Sequence, residues 1–188
     1  KVLRILVVAA SPANMAQLEL TKEYEKIRDA LQGTMYHMRN HTAQVDWQPN
    51  ISTEGFCKAI CAGGHHLVLF TGHGDEGGLC FKDGKAFDKA HAQLLIDFLN
   101  STRSSSTLRG FVFNCCNSVK IAKFIFDGTD ESKLAFCVGT TDAVKDKDAI
   151  AFSQALFGEL SDNKPLQEAF SAAVYKACDS GLRTIVSQ

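Results

Sequence analysis

Across its 188 residues the chain has no apolar stretch approaching the roughly 20 residues of a membrane span. "LRILVVAA", residues 3–10, is too short for one, and it lacks the small-residue cleavage pattern of a secretory signal. The chain also lacks net charge. Its 20 basic and 21 acidic residues leave a formal −1, and the basic ones are scattered. No field of one sign is present to attract nucleic acid or an anionic membrane, so neither is expected as a partner. There is no phosphate loop either. "GHGDEGG" (72–78) lacks the lysine and the spacing of one, and Asp75 and Glu76 would repel phosphate. An even cysteine set is absent too. Seven thiols (Cys57, Cys61, Cys80, Cys115, Cys116, Cys137 and Cys178) in a domain this large argue for reduced cysteines in a cytoplasmic setting. No internal repeat and no convincing second domain appear, so residues 1–188 read as one domain. The first residue is Lys1, not methionine, which fits a piece of a larger protein and equally a processed form.

What is present is a soluble globular composition, 45% apolar and 22% charged, able to bury a sizeable core. Strand-like runs alternate with helical patterns. Residues 3–10 read as a buried strand. Leu20, Tyr24, Ile27 and Leu31 share one face of a helix over 18–31. "AQVDW" (43–47) is a weak strand. A helix follows, with Thr53 as its N-cap and Gly63 or Gly64 as its stop. The strand 67–71 leads into a glycine-rich turn and a short polar loop or hairpin about the turn dipeptide Asp83-Gly84. Asp88 caps a helix to about Asn100, and "STRSSST" (101–107) is a loop. After it come the strand "LRGFVFN", the helix "SVKIAKFIF", the strand "KLAFCVGT" and two closing helices, the second with Pro165 in its first turn. This alternation predicts an α/β fold with a mainly parallel central sheet and helices on both faces.

Sites in such sheets form beyond the carboxyl ends of the strands. Two strands end on reactive side chains. "LVLFTGHG" ends on His73, and "GFVFNCCNS" ends on Cys115 and Cys116. If these strands are neighbours about 5 Å apart, with 88–100 as their crossover helix, imidazole and thiol can meet. The chemistry would be that of a cysteine nucleophile. A helix starting near Ser118 favours negative charge at its N-terminus, and His73 can take the proton and return it to a leaving amine. The Gly74 and Cys116 amides could serve a developing oxyanion. Taken singly, a cysteine after a strand is more often a small buried hydrophobe, and Gly-His-Gly is often only a turn.

Together the segments resemble a known family. Thr71-Gly72-His73-Gly74 is similar to the "S-G-H-G" of CHAT domains, caspase-like (clan CD) cysteine peptidases. "NCCNS" (114–118) resembles their "N-A-C-x-S", with Cys116 at the nucleophile position, Ser118 at the serine, and Cys115 in place of alanine. Residues 136–160 resemble the family's later strand and helix, and residues 2–20 the opening strand and loop. Cys116 lies 43 positions after His73, near the roughly 50 of caspases. The resemblance implies a caspase-like three-layer sandwich. It also implies a Cys116–His73 dyad needing no metal or cofactor, a protein substrate, and regulation by a sensor module in the same or a partner chain. No caspase-type "Q-A-C-x-G" is present, nor an arginine cluster for an aspartate-accepting pocket.

Asp142, Asp146 and Asp148 follow a strand end and could line a pocket for a basic residue. Solvated loop and helix-cap carboxylates are the plainer reading. Asp75 could orient a basic substrate group or serve only its turn. Ser11 and Asn14 could wall the site or cap a helix. Cys57, Cys61, His65 and His66 look like a zinc set, but C-x3-C-x3-H is not a common structural spacing, and helix packing explains the thiols better. His37, His41 and His91 have no evident task. The rival readings are a catalytically silent scaffold of the same fold and a flavodoxin-like or receiver-like ligand domain. The latter lacks both a phosphate-binding backbone and an acidic phospho-acceptor cluster.

Overall fold

A computed structural model of the chain describes residues 2–35, 42–101, 107–162, 164–177 and 183–187. The elements run β1 (Val2–Ala10), α1 (Leu20–Met35), β2 (Thr42–Pro49), α2 (Thr53–Cys61), β3 (Leu67–Gly72), β4 (Gly74–Asp75), β5 (Gly78–Cys80), β6 (Ala86–Phe87) and α3 (Lys89–Asn100). They continue with β7 (Gly110–Asn114), α4 (Val119–Gly128), β8 (Phe136–Thr140), α5 (Asp146–Ser161), α6 (Leu166–Lys176) and β9 (Arg183–Ser187). Among the described residues the main sheet has six strands in the order β2-β1-β3-β7-β8-β9. The first five are parallel and β9 is antiparallel to β8. Strands β4, β5 and β6 form a small separate sheet. Cys178, His37, His41 and most of the serine loop lie outside the described residues.

The continuous apolar runs follow from a sheet covered on both faces. Ile5, Val7, Leu67, Leu69, Val112 and Val138 point to one face, against Ile27 and Leu31 of α1 and the apolar residues of α5 and α6. The intervening Leu6, Val8, Val68, Phe70, Phe111 and Phe113 point to the other, against α2, α3 and α4. Period-2 alternation with apolar residues at both parities builds two cores from one set of strands. That is the expected three-layer α/β arrangement.

Local signals were followed with small shifts. Asp88 caps α3, its Oδ1 accepting from Ala90 N at 3.0 Å and His91 N at 3.1 Å. The cap of α2 is Ser52, whose Oγ accepts from Gly55 N at 3.1 Å, and not Thr53. Thr53 is instead buried as the first helical residue and donates to Asp83 at 3.3 Å. Strand β9 carries too short a pattern to be recognised without its partner β8. No described helix is long and apolar enough to cross a membrane.

Candidate active site

The strands that end on His73 and Cys116 are direct neighbours. Strands β3 and β7 pair in parallel, and their last register pair is Thr71 with Asn114. His73 and Cys116 each lie two residues beyond that pair, at the same rim, and both are half-buried. Between them the backbones touch. A Cβ built on Gly74 would lie 2.5 Å from the Cys116 carbonyl oxygen and 2.9 Å from Cys115 Sγ. No side chain fits there, so glycine is required for the two strand ends to close on each other.

Two loops complete the rim. Loop 11–19 leaves β1 and passes His73, whose Nε2 lies 2.7 Å from the Ala16 carbonyl oxygen. A carbonyl only accepts, so Nε2 carries the hydrogen, and the lone pair of the neutral ring is on Nδ1. On the other side, Val144 N–H donates to Cys116 Sγ at 3.3 Å, and the thiol faces Val144 O at 3.8 Å. The same loop accepts from Asn117 N through Asp142 O at 3.3 Å. Asn117 holds a left-handed φ of 53°, which turns the chain sharply from β7 towards α4.

The adjacent thiols differ in setting. Cys115 is 2% exposed and belongs to the apolar core. Burial pushes its thiol far above the ordinary cysteine range, so it stays protonated at neutral pH. Burial also raises the thiols of Cys57, Cys61, Cys80 and Cys137. Ser118 does not cap α4. It reaches back to the Phe113 carbonyl at 2.9 Å and the Cys115 carbonyl at 3.0 Å, and it accepts from Thr140 N at 3.0 Å. Thr140 Oγ1 donates to the Cys115 carbonyl as well. The cysteine turn is thereby pinned to β8.

The carboxylates take different places. Asp75 closes its own turn, Oδ1 accepting from Gly77 N at 2.7 Å and Gly78 N at 3.2 Å. Asp142 is exposed on the loop that meets Cys116, and Thr141 Oγ1 donates to it at 3.0 Å. Asp146 accepts from Glu19 N at 3.0 Å, which fastens loop 11–19 to the start of α5. Asp148 is buried. Ser11 follows the last residue of β1, at the same rim, and is half-buried. The cysteines and histidines near α2 do not converge. His65 Nε2 lies 3.4 Å from Asp46, and His66 Nδ1 accepts from Arg4 N at 3.0 Å. Among the described residues no three histidine, cysteine or acidic side chains gather into a metal-sized set.

Sequence reasoning missed three contributors. Ala16 and Val144 act through backbone, which any residue type supplies, so nothing in their identity marks them. Glu23 did leave a signal. It lies three after Leu20 and four before Ile27, a charge on the apolar face of α1. It is 1% exposed and accepts from Asn114 Nδ2 at 2.8 Å, Ser153 Oγ at 2.6 Å and Thr71 Oγ1. Burial raises its pKa, against the effect of these three hydrogen bonds.

The sequence matches no protein-family model and no curated protein. Solved structures share the fold. Over 93% of this chain and 41% of the other it superposes on the Arg-specific cysteine proteinase gingipain R, with a TM-score of 0.62 and 14% identity. A complex of Porphyromonas gingivalis RgpB pro- and mature domains gives 0.56 at 14% identity, over 91% of this chain and 43% of that one. The Drosophila initiator caspase Dronc gives 0.61 at 10% identity, over 98% of this chain and 79% of that one. The chain thus spans less than half the length of the gingipain chain. At these identities the likeness speaks for architecture, and the architecture is the caspase-like α/β sandwich.

Proposed function

We propose that this chain is a cysteine endopeptidase of the CHAT type, with Cys116 as nucleophile and His73 as general base. The observation that carries the reading is the Gly74 contact with the Cys115–Cys116 turn, at the rim where two neighbouring strands end. The Ala16 carbonyl holds His73 Nε2–H and leaves Nδ1 to accept the thiol proton. Cys116 Sγ then bonds to the scissile carbonyl carbon, and the carbonyl electrons move to its oxygen. The Gly74 and Cys116 amides are the proposed donors to that oxyanion. His73 passes its proton to the departing amine as the C–N bond breaks, leaving a thioester. Water, deprotonated by His73, hydrolyses the thioester and restores the thiol. No metal or cofactor is required by these steps.

The substrate is proposed to be a protein. Asp142, with Asp75 and Asp146, is proposed to favour a basic residue before the scissile bond, and Ser11 to form part of the substrate wall. Activation by a sensor module in the same or a partner chain, in a cytoplasmic setting, belongs to the same reading. The loop 141–145 contact with Cys116 supports a second reading, a silent scaffold whose thiol is held by Val144. A proteome-wide cleavage profile separates the two. Cuts made by the native chain and absent with Cys116→Ala, after basic residues, are the expected result. Identical profiles for the two proteins would remove the peptidase reading.

A further inference from the structure

A carboxyl buried without an ion pair is an expensive choice for a helix–sheet interface, since leucine would pack there without desolvating a polar group. Among the described residues Glu23 is such a group, at 1% exposure. Its partners come from three other elements. Oε2 accepts from Thr71 Oγ1 on β3. Oε1 accepts from Asn114 Nδ2 on β7 at 2.8 Å and from Ser153 Oγ on α5 at 2.6 Å. Asn114 Nδ2 also donates to the Ala149 carbonyl at 2.8 Å and to Ser153 Oγ at 2.8 Å.

The placement is specific. Thr71 and Asn114 are the last register pair of the two central strands. One carboxyl oxygen holds each strand at that pair, and His73 and Cys116 follow two residues later on either side. On the same sheet face the preceding positions, Leu69 and Val112, are apolar. The polar bridge appears where these strands change from carrying core to carrying the rim. A fully bonded polar network fixes one arrangement where apolar packing tolerates several.

We propose that Glu23 is a positioning residue for the His73–Cys116 pair: its single carboxyl sets the relative placement of the two strand ends from the α1 side of the sheet. It touches neither reacting atom and acts through Thr71 and Asn114. The proposal rests on the dyad reading above.

The test is the site-resolved rate of carboxamidomethylation of each cysteine by iodoacetamide in the intact chain, read by mass spectrometry. Cys115 serves as an internal reporter, because it reacts only if the core opens. Glu23→Ala should slow Cys116 by roughly ten-fold while Cys115 stays unreactive, and Glu23→Gln, whose Oε1 can still accept from Asn114 and Ser153 while its Nε2 donates to the Thr71 hydroxyl, should stay within about three-fold of native. A merely structural role predicts the reverse pattern, with Cys115 becoming reactive and Cys116 not slowed. Cys116 in folded Glu23→Ala reacting at the native rate, or Glu23→Gln as slow as Glu23→Ala, overturns the proposal. If Glu23→Ala does not fold, Thr71→Val decides. It severs only the β3 link and should slow Cys116 about three-fold, and an unchanged rate overturns the proposal. His73→Ala in the native background separates the two levels. If it leaves Cys116 unchanged, the dyad reading fails and the proposal with it. If it slows Cys116 while the Glu23 and Thr71 variants do not, the proposal alone fails.

Discussion

On the α2–α3–α4 side, strand β3 brings Phe70 against a group of rings. Phe70 lies 5.1 Å from Phe81, and Phe56 lies 5.2 Å from both Phe81 and Phe87. One residue further along the same strand, on the α1–α5 side, Thr71 meets a carboxyl. The two faces of the sheet therefore end differently at the rim. The ring side excludes water by bulk and shape, which holds the strands strongly and leaves their relative shift to packing. The carboxyl side contributes less to stability and more to specification, because hydrogen bonds have required distances and directions. The neighbouring thiols follow the same division. Cys115 belongs to the ring side and is sealed, while Cys116 turns towards the rim.

Breaking the ring side should have the largest effect on stability. Phe70→Ala is expected to lose about 3–5 kcal/mol in urea unfolding, from transfer and cavity terms together. A loss under about 1 kcal/mol would show that the rings are not packed as described. On the carboxyl side, Asn114→Leu should lose about 1–3 kcal/mol, because the Glu23 and Ala149 oxygens lose a donor. If the two substitutions were equal in stability but only Phe70→Ala slowed Cys116 alkylation, the division of labour would be inverted.

A pH series sharpens the contrast. The Glu23 carboxyl is raised mainly by burial, with Asp146 adding in the same direction. Its stabilising contribution is complete below the unfolded-state value of about 4.3 and is lost as pH rises through the higher folded-state value. Glu23→Gln has no such titration. The stability difference between Glu23→Gln and the native chain should therefore shift in favour of the variant from pH 4 to pH 8, measured by urea midpoints. A difference that stays flat would mean that the folded state does not hold this proton more tightly than the unfolded one. The smallest effect belongs outside both faces. Glu76 and Lys120 pair at 3.8 Å with both side chains exposed, and Glu76→Gln should change stability by less than about 0.5 kcal/mol.

Much of this is legible in the sequence alone. The strand runs, the Asp88 cap, the Asp83-Gly84 hairpin and the order of elements come from local rules, and each is found within a few residues of where the pattern puts it. His73 and Cys116 could be singled out because glycine and histidine after an apolar strand, and cysteine before a helix, are local signals of a strand end. The Ser52 cap was displaced by one because serine and threonine are both good caps, and only burial of Thr53 decides between them. The weak strand 43–47 became a longer β2 because its partner β1 supplies hydrogen bonds along its length.

By itself the sequence determined the alternation of strands and helices, the two apolar parities that demand a covered sheet, and the identity of the side chains at two strand ends. These are properties of short windows, where periodicity and turn chemistry act. Which strands become neighbours, and hence that Gly74 abuts Cys116, Ala16 reaches His73, Val144 reaches the thiol and Glu23 spans β3 and β7, was decided only by the tertiary structure. Those contacts join residues distant in the chain, several through backbone atoms that every residue carries, and no local window holds both partners.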